Sequence, residues 1–126
     1  MQPNHAAEHL LSCLEEWDSD RFVSGLHPNA RLGFGGEVAA TGRRQIRRLL
    51  VRAFGCLSHL QISRQVIWRR GQVSVLDLDV RCEQLDGRLM FFPLTVVLRM
   101  SGEEIADIQL FLNDQAAIGR FLAPAA

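Results

Sequence analysis

The sequence predicts an α+β domain of two layers, in which helices come first and an antiparallel sheet follows. In the first half of the chain, apolar residues recur at three- and four-residue steps, which is the spacing of amphipathic helices. In the second half, long apolar stretches are separated by short turns containing glycine, which is typical of strands joined by hairpins. With 126 residues, the chain is expected to form one domain, residues 1–126.

Three helices are predicted in the first half. One apolar face marks the first and the third, and the third is the strongest helical pattern in the chain. A cluster of aspartate and serine caps the second, short helix, and glycine ends it before a His-Pro pair. In order, the helices run from Asn4 to Trp17, from Asp18 to Gly25, and from Thr41 to about Leu57.

Two short strands and four long ones are predicted. The short strands, Arg31–Phe34 and Glu37–Ala40, flank a Gly-Gly turn. The long strands follow the third helix, and Asp86-Gly87 is the strongest hairpin signal between them. They are predicted at Leu60–Arg69, Gln72–Glu83, Arg88–Met100 and Ile105–Leu112, with a short tail after Asn113.

Charge and composition narrow the classes of partner. The formal net charge is zero, so binding of nucleic acid through bulk charge is not expected. Five arginines form a stripe on the third helix, and we interpret them as a solvated helix face. No apolar run approaches the roughly 20 residues of a membrane span, and no signal peptide is recognisable, which predicts a cytoplasmic protein. The stripe consists of Arg43, Arg44, Arg47, Arg48 and Arg52.

The residue inventory also limits the chemistry. All basic residues are arginine, so Schiff-base chemistry through lysine is excluded, and the absence of tyrosine removes the phenol as an acid. Cys13, Cys56 and Cys82 are far apart and predict buried thiols rather than disulfides. A zinc-peptidase-like pattern from His5 to His9 is best explained by chance. We therefore expect neither a metal nor another cofactor.

A strictly alternating stretch from Leu76 to Glu83 is the most informative segment for function. A strand there places the apolar row Leu76, Leu78, Val80 and Cys82 on one face. The charged row Asp77, Asp79, Arg81 and Glu83 then lies on the other face. Two interpretations stay open: the charged row faces water, or it points into a pocket.

Four segments of the chain resemble the nuclear transport factor 2-like superfamily, which includes ketosteroid isomerase, SnoaL-type polyketide cyclases and limonene epoxide hydrolase. These are the end of the first helix at Glu16-Trp17-Asp18-Ser19-Asp20, the segment from Leu26 to Leu32, the start of the third helix at Thr41-Gly42, and the closing strand from Ile105 to Asn113. The resemblance implies a cone-shaped fold, in which a strongly curved antiparallel sheet wraps over three N-terminal helices and can leave a pocket.

Site residues follow from the resemblance only in part. The base, the tyrosine and the protonated aspartate of the isomerases have no counterparts here. The epoxide hydrolases match better, and the aspartate of their Arg-x-Asp pair falls on Asp79, with Asp77 in place of the arginine. Arg81 lies two residues further along the same face and would supply the cation. We expect Asp79 to be catalytic with Asp77 and Arg81 tuning its pKa, so that Asp79→Asn would abolish turnover.

If the charged row lines the pocket, apolar residues complete its walls. The apolar row from Leu76 to Cys82 would then form the outer face of the sheet. It would be joined there by Phe91, Pro93, Thr95 and Val97 of the following strand, and this face would support a homodimer. The pocket would suit a small apolar ligand. Its predicted lining is Trp17, Phe34, Phe54, Trp68, Phe92, Leu94, Val96, Leu98, Ile108, Leu110 and Leu112.

Two functions are consistent with these patterns. The first is an isomerase, cyclase or hydrolase acting on an apolar metabolite through acid and base groups. The second is a non-catalytic ligand-binding or dimerisation module of the same fold. The direction in which Asp79 and Arg81 point distinguishes them, since charges in the cavity favour the enzyme and charges outside an apolar interior favour the module.

Overall fold

The structure is a computed structural model that describes residues 5–112. Within this range it contains three helices and six strands, in the predicted order of helices, a short hairpin, a helix and four long strands. The predicted N-cap Asn4 and the tail after Asn113 lie outside the described residues. The helices are α1 (His5–Glu15), α2 (Ser19–Ser24) and α3 (Gly42–Gly55); the strands are β1 (Leu26–Phe34), β2 (Glu37–Thr41), β3 (Leu57–Arg70), β4 (Val73–Gln84), β5 (Leu89–Ser101) and β6 (Glu104–Leu112).

The strands form one sheet in the order β2-β1-β6-β5-β4-β3. From β3 to β6 it is the predicted antiparallel meander. β1 pairs with β2 in antiparallel fashion but with β6 in parallel fashion, so the sheet is mixed and mostly antiparallel. The α+β fold class predicted from the sequence is confirmed.

The first strand is longer than predicted. β1 begins at Leu26 rather than Arg31, and it includes the His27-Pro28 pair that was expected to lie in a loop. Its pairing with β6 is irregular between Leu26 and Arg31. Proline lacks an amide hydrogen, and it is tolerated in strands where regular ladder bonds are missing.

Helix α3 is fixed to the sheet by its apolar face and by one arginine. Ile46, Leu50 and Ala53 are buried at helical spacing. Near the start of the helix, Arg43 donates to the backbone carbonyl of Leu26 through Nε (2.8 Å) and pairs with Glu104 (3.3 Å). These contacts connect α3 with both β1 and β6. No helix among residues 5–112 is long and apolar enough to span a bilayer.

The core lies between the helices and one face of the sheet. Side chains two residues apart on a strand share a face, and the helices cover one face of the sheet. The side chains on that face of β4 and β5, such as Leu78 and Val96, are therefore almost fully buried. Helix α1 contributes Ala7, Leu10 and Leu11 to the same cluster. The largest fully buried side chains include Leu26, Ile46, Leu76, Leu78, Leu98, Ile105 and Ile108.

The close approach of β1 to its neighbours gives a stability prediction. A Cβ atom at Gly33 would lie 2.3 Å from the backbone oxygen of Glu37 and 2.8 Å from the side chain of Gln109. We expect Gly33→Ala to lower the free energy of unfolding by about 1–3 kcal/mol, because backbone must shift. Urea unfolding followed by circular dichroism measures the effect.

Gly55→Ala is the matched control. Apart from its chain neighbours and the backbone of its own helix, no heavy atom among residues 5–112 lies within 4 Å of a Cβ at Gly55, the last residue of α3. Alanine there should be neutral or should stabilise the protein by up to about 1 kcal/mol. Equal stability of the two variants would contradict the described packing at Gly33.

Candidate functional site

A cavity of about 150 Å³ lies between the helices and the inner face of the sheet. All three helices and five of the six strands contribute to its wall. The lining residues are Leu10, Leu14, Phe22, Leu32, Phe34, Leu49, Leu50, Ala53, Phe54, Leu57, Leu60, Ile62, Leu78, Val80, Phe92, Leu94, Val96, Ile108, Leu110 and Leu112.

Strand register builds the floor of the cavity. Leu78 lies opposite Leu94, and Val80 lies opposite Phe92, so the inner rows of β4 and β5 form one continuous apolar surface. Leu110 of β6 continues this surface, since it lies opposite Val96.

Helical spacing builds the opposite wall. Leu10 and Leu14 are one turn apart on α1. Helix α3 adds two adjacent pairs one turn apart, which are Leu49 with Leu50 and Ala53 with Phe54. Of these helix residues, Phe54 was among the predicted pocket residues, and the others were not. The three- and four-residue spacing of apolar positions could have identified them, because that face of each helix must cover the sheet.

The chemistry of the described lining is that of a hydrocarbon. Every one of the 20 lining side chains is Leu, Ile, Val, Ala or Phe, and none can donate or accept a proton. Empty apolar cavities of this size in other proteins stay dry and bind benzene or xenon. The described wall therefore offers shape and dispersion contacts but no acid or base.

Most of the predicted pocket residues lie in this wall. Phe34 and Phe54 are there, from β1 and α3 respectively. The remaining predicted residues come from β5 and β6, where every second side chain faces the cavity. These others are Phe92, Leu94, Val96, Ile108, Leu110 and Leu112.

Three predicted pocket residues lie elsewhere. Trp17 is 36% exposed and stacks on Phe54, with the ring centroids 6.3 Å apart. Trp68 is 54% exposed on the outer face of the sheet, opposite Val75. Leu98 is fully buried in the core but is not part of the cavity wall.

Of the two interpretations of the charged row that the sequence left open, the structure supports the one in which this row lies outside the described cavity. Leu78 and Val80 line the cavity, so their alternating neighbours Asp77, Asp79 and Arg81 lie on the outer face of the sheet. The apolar row of β4, which would form the outer face if the charged row lined the pocket, is the buried one.

The length of one hairpin loop sets which row of β4 shares a face with the inner row of β5. Gln84 N–H donates to the carbonyl of Arg88 (2.8 Å), and this hydrogen bond encloses three residues at the tip of the hairpin between β4 and β5. A two-residue loop at Asp86-Gly87 would have set Leu78 opposite Thr95, which is the grouping expected from the sequence. A change of one residue in register moves a whole row to the other face.

On the outer face, the three charged residues make local contacts. The Thr95 hydroxyl donates to Asp77 Oδ1 (3.5 Å), and the Arg81 guanidinium lies over the ring of Phe91, 5.2 Å from its centroid. The backbone oxygen of Asp79 accepts from Ser63 Oγ (3.4 Å). A catalytic role for Asp77, Asp79 and Arg81 stays a prediction, and it would require a site on this face.

Buried thiols do not supply a nucleophile. Burial raises the pKa of Cys82 to about 11, so this thiol is protonated at neutral pH. Burial also raises the pKa of Cys13, whose Sγ lies 3.6 Å from His9 Nε2. Within residues 5–112, no three side chains of His, Cys, Asp or Glu are grouped as metal ligands.

Comparison with known proteins identifies the fold. No family model matches the chain, and no curated protein matches it in sequence. Among solved structures, it is similar to an NTF2-like protein of unknown function from Burkholderia pseudomallei, with 12% identity, a TM-score of 0.82, and coverage of 96% of this chain and 97% of that one. A candidate polyketide cyclase from Pseudomonas putida has 12% identity, a TM-score of 0.83, and coverage of 98% and 99%.

A third solved structure is TerC co-crystallised with polyporic acid. It has 14% identity and a TM-score of 0.79, and the match covers 94% of this chain and 96% of that one. The chain therefore has the nuclear transport factor 2-like fold, which is also that of SnoaL-like and ketosteroid isomerase-like proteins. The predicted resemblance in fold is confirmed, and this fold carries different activities in different proteins.

The orientation of β4 gives the second prediction. Leu78→Ala should lower the free energy of unfolding by about 2–5 kcal/mol, because it removes a fully buried side chain from the inner face. Arg81→Ala is the control on the outer face and should cost at most about 1 kcal/mol, since it removes an exposed contact with Phe91. Chemical unfolding measures both, and a larger loss for Arg81→Ala would reverse the assignment of faces.

Proposed function

We propose that this protein is a non-catalytic binding module for a small apolar ligand, which occupies the cavity between the helices and the sheet. One observation carries the proposal: all 20 described lining side chains are hydrocarbon, while Asp77, Asp79 and Arg81 lie outside. This is the arrangement that favours the second of the two functions considered from the sequence.

The cavity also limits the size and polarity of the ligand. A volume of about 150 Å³ suits a molecule of one ring, and four phenylalanines among the lining residues favour a flat one. A charged or strongly polar ligand would lose its hydration without gaining a hydrogen bond from these side chains, which is costly. The proposed ligand is therefore a neutral single-ring compound.

Catalysis in this cavity has less support. An isomerase, cyclase or hydrolase needs a group that moves a proton, and the described lining has none. The similarity to a candidate polyketide cyclase, at 12% identity, concerns the fold alone. The co-crystallisation of TerC with polyporic acid is consistent with ligand binding by proteins of this fold.

Toluene tests the binding proposal directly. At ten times its dissociation constant, a bound ligand stabilises the folded state by about 1.4 kcal/mol. The midpoint of thermal unfolding should then rise by roughly 4–8 °C for a domain of this size. Benzoate, which has the same ring and a charge, should give no shift at the same concentration.

Ala53→Leu locates the binding site. Ala53 is the smallest lining side chain, and leucine there would fill part of the cavity and should abolish the toluene shift. Val51→Leu, on the exposed face of the same helix, is the matched control and should retain the shift. An equal shift in both variants would place toluene outside the cavity and contradict the proposal.

We also propose that the protein forms a homodimer through the outer face of its sheet. The support is a group of large apolar side chains on that face, since Leu89, Phe91 and Phe111 are 51%, 67% and 41% exposed. Exposed apolar groups of this kind mark interaction surfaces, and a two-fold dimer would use the same patch on both copies.

Phe91→Glu tests the dimer. The substitution places a charge on the most exposed of the three side chains in the proposed contact, and we expect the protein to change from dimer to monomer at micromolar concentration. Val51→Glu, on α3 and remote from the sheet's outer face, should leave the mass unchanged. Sedimentation velocity distinguishes the two states, and a monomeric unmodified protein would refute the proposal.

A further inference from the structure

One group of partly exposed wall residues surrounds the end of strand β6. Leu112 is the last residue of β6 and lies opposite Leu94 on β5, and both side chains line the cavity. Phe92 lies two residues away on the same face of β5, and Leu110 continues the wall to its partner Phe34 on β1. All five side chains are partly exposed. The apolar wall is therefore incompletely covered by the described residues at this edge.

The same sheet face is fully covered further from this edge. Leu78, which lies opposite Leu94 on β4, has no exposed surface, and Val96 and Ile108 are each 1% exposed. Partly exposed lining residues also occur on α1, α3 and β3. The edge at β6 differs from those places because residues 113–126 continue the chain directly from Leu112.

The sequence after Leu112 has one apolar face at helical spacing. Four residues fall together on one side of a helix, namely Ala117, Ile118, Phe121 and Leu122. Arg120 falls on the opposite side. Asp114 is suited to be an N-cap, and Pro124 follows the last residue of the apolar group, as is common after the end of a helix. The pattern predicts an amphipathic segment over residues 115–122.

From these observations we propose that residues 115–122 pack their apolar face against the partly exposed wall around Leu112 and cover this edge of the cavity. The wall from β5 across β6 to β1 is roughly 10 Å wide, since it spans two strand spacings. A helix of residues 115–122 is about 12 Å long, so the segment matches the edge in size. Both surfaces are apolar, and their contact removes both from water.

The occupant of this edge is a segment of the same chain because its connection to the wall is short. Asn113 and Asp114 alone separate the segment from Leu112. A tether of this kind gives the segment an effective concentration on the order of millimolar, with which a second copy or another protein would have to compete. The inference goes beyond the proposed function and does not rest on it, since the cover forms without a ligand.

Nuclear Overhauser effects in the ligand-free full chain test the contact. We expect cross-peaks between the Phe121 ring and the methyl groups of Leu112 and Leu94. A sample mixed from isotope-labelled and unlabelled protein separates contacts within one copy from contacts between copies. Cross-peaks within one copy support the cover, whereas their absence, or cross-peaks between copies only, would overturn it. A failure of toluene to bind concerns the proposed function alone.

Phe121→Ser and Arg120→Ser form a matched pair of variants in the full chain. Both place serine in the same segment, but only the first removes an apolar side chain from the proposed contact. We expect Phe121→Ser to lower the midpoint of thermal unfolding by roughly 4–8 °C and to shift the methyl resonances of Leu112 and Leu94. Arg120→Ser should leave both nearly unchanged. Equal midpoints and resonances in the two variants would contradict the cover.

Discussion

The structure depends on the burial of one sheet face beneath the helices. Leu76 and Leu78 on β4 are completely buried there, and the register with β5 brings Val96 and Leu94 to the same face. Because side chains alternate along a strand, the burial of one row also exposes the other. The same contact thus explains why the cavity is apolar and why Asp79 and its charged neighbours lie outside.

Much of this fold could be predicted from the sequence, because each helix and strand has its own period of apolar residues. Alternation also identified which residues of β4 share a face. It could not identify which row of β5 shares a face with each row of β4, since that depends on the number of residues in the hairpin after Gln84. A single residue there decides whether Leu78 lies opposite Leu94 or Thr95. The boundary of β1 was missed for a similar reason, because Pro28 is tolerated where pairing with β6 is irregular.

The sequence predicted part of the apolar cavity wall, but it did not predict that the described wall lacks acids. Phe92, Leu94 and Val96 were correctly grouped, and the cavity wall contains all three. The expected acids, Asp77 and Asp79, were assigned to the site by resemblance to the epoxide hydrolases. Proteins that share a fold can differ in whether a given position is polar or apolar. In this chain the two residues of β4 that line the cavity, Leu78 and Val80, are hydrocarbon, which supports the proposed binding of an apolar ligand.

Two local costs meet at the same end of the molecule. By the scaling found for closed cavities in other proteins, filling about 150 Å³ of apolar volume with side chains would add at most roughly 3–4 kcal/mol of stability. Trp17, whose backbone is left-handed with φ of 58°, costs about 1–2 kcal/mol more than glycine would. For a small domain these are large fractions of a net stability of about 5–15 kcal/mol. Larger side chains at Ala53 and a glycine at position 17 would relieve both costs. The proposed ligand binding would account for the presence of Ala53 and Trp17, because proteins break such local rules mainly at functional sites.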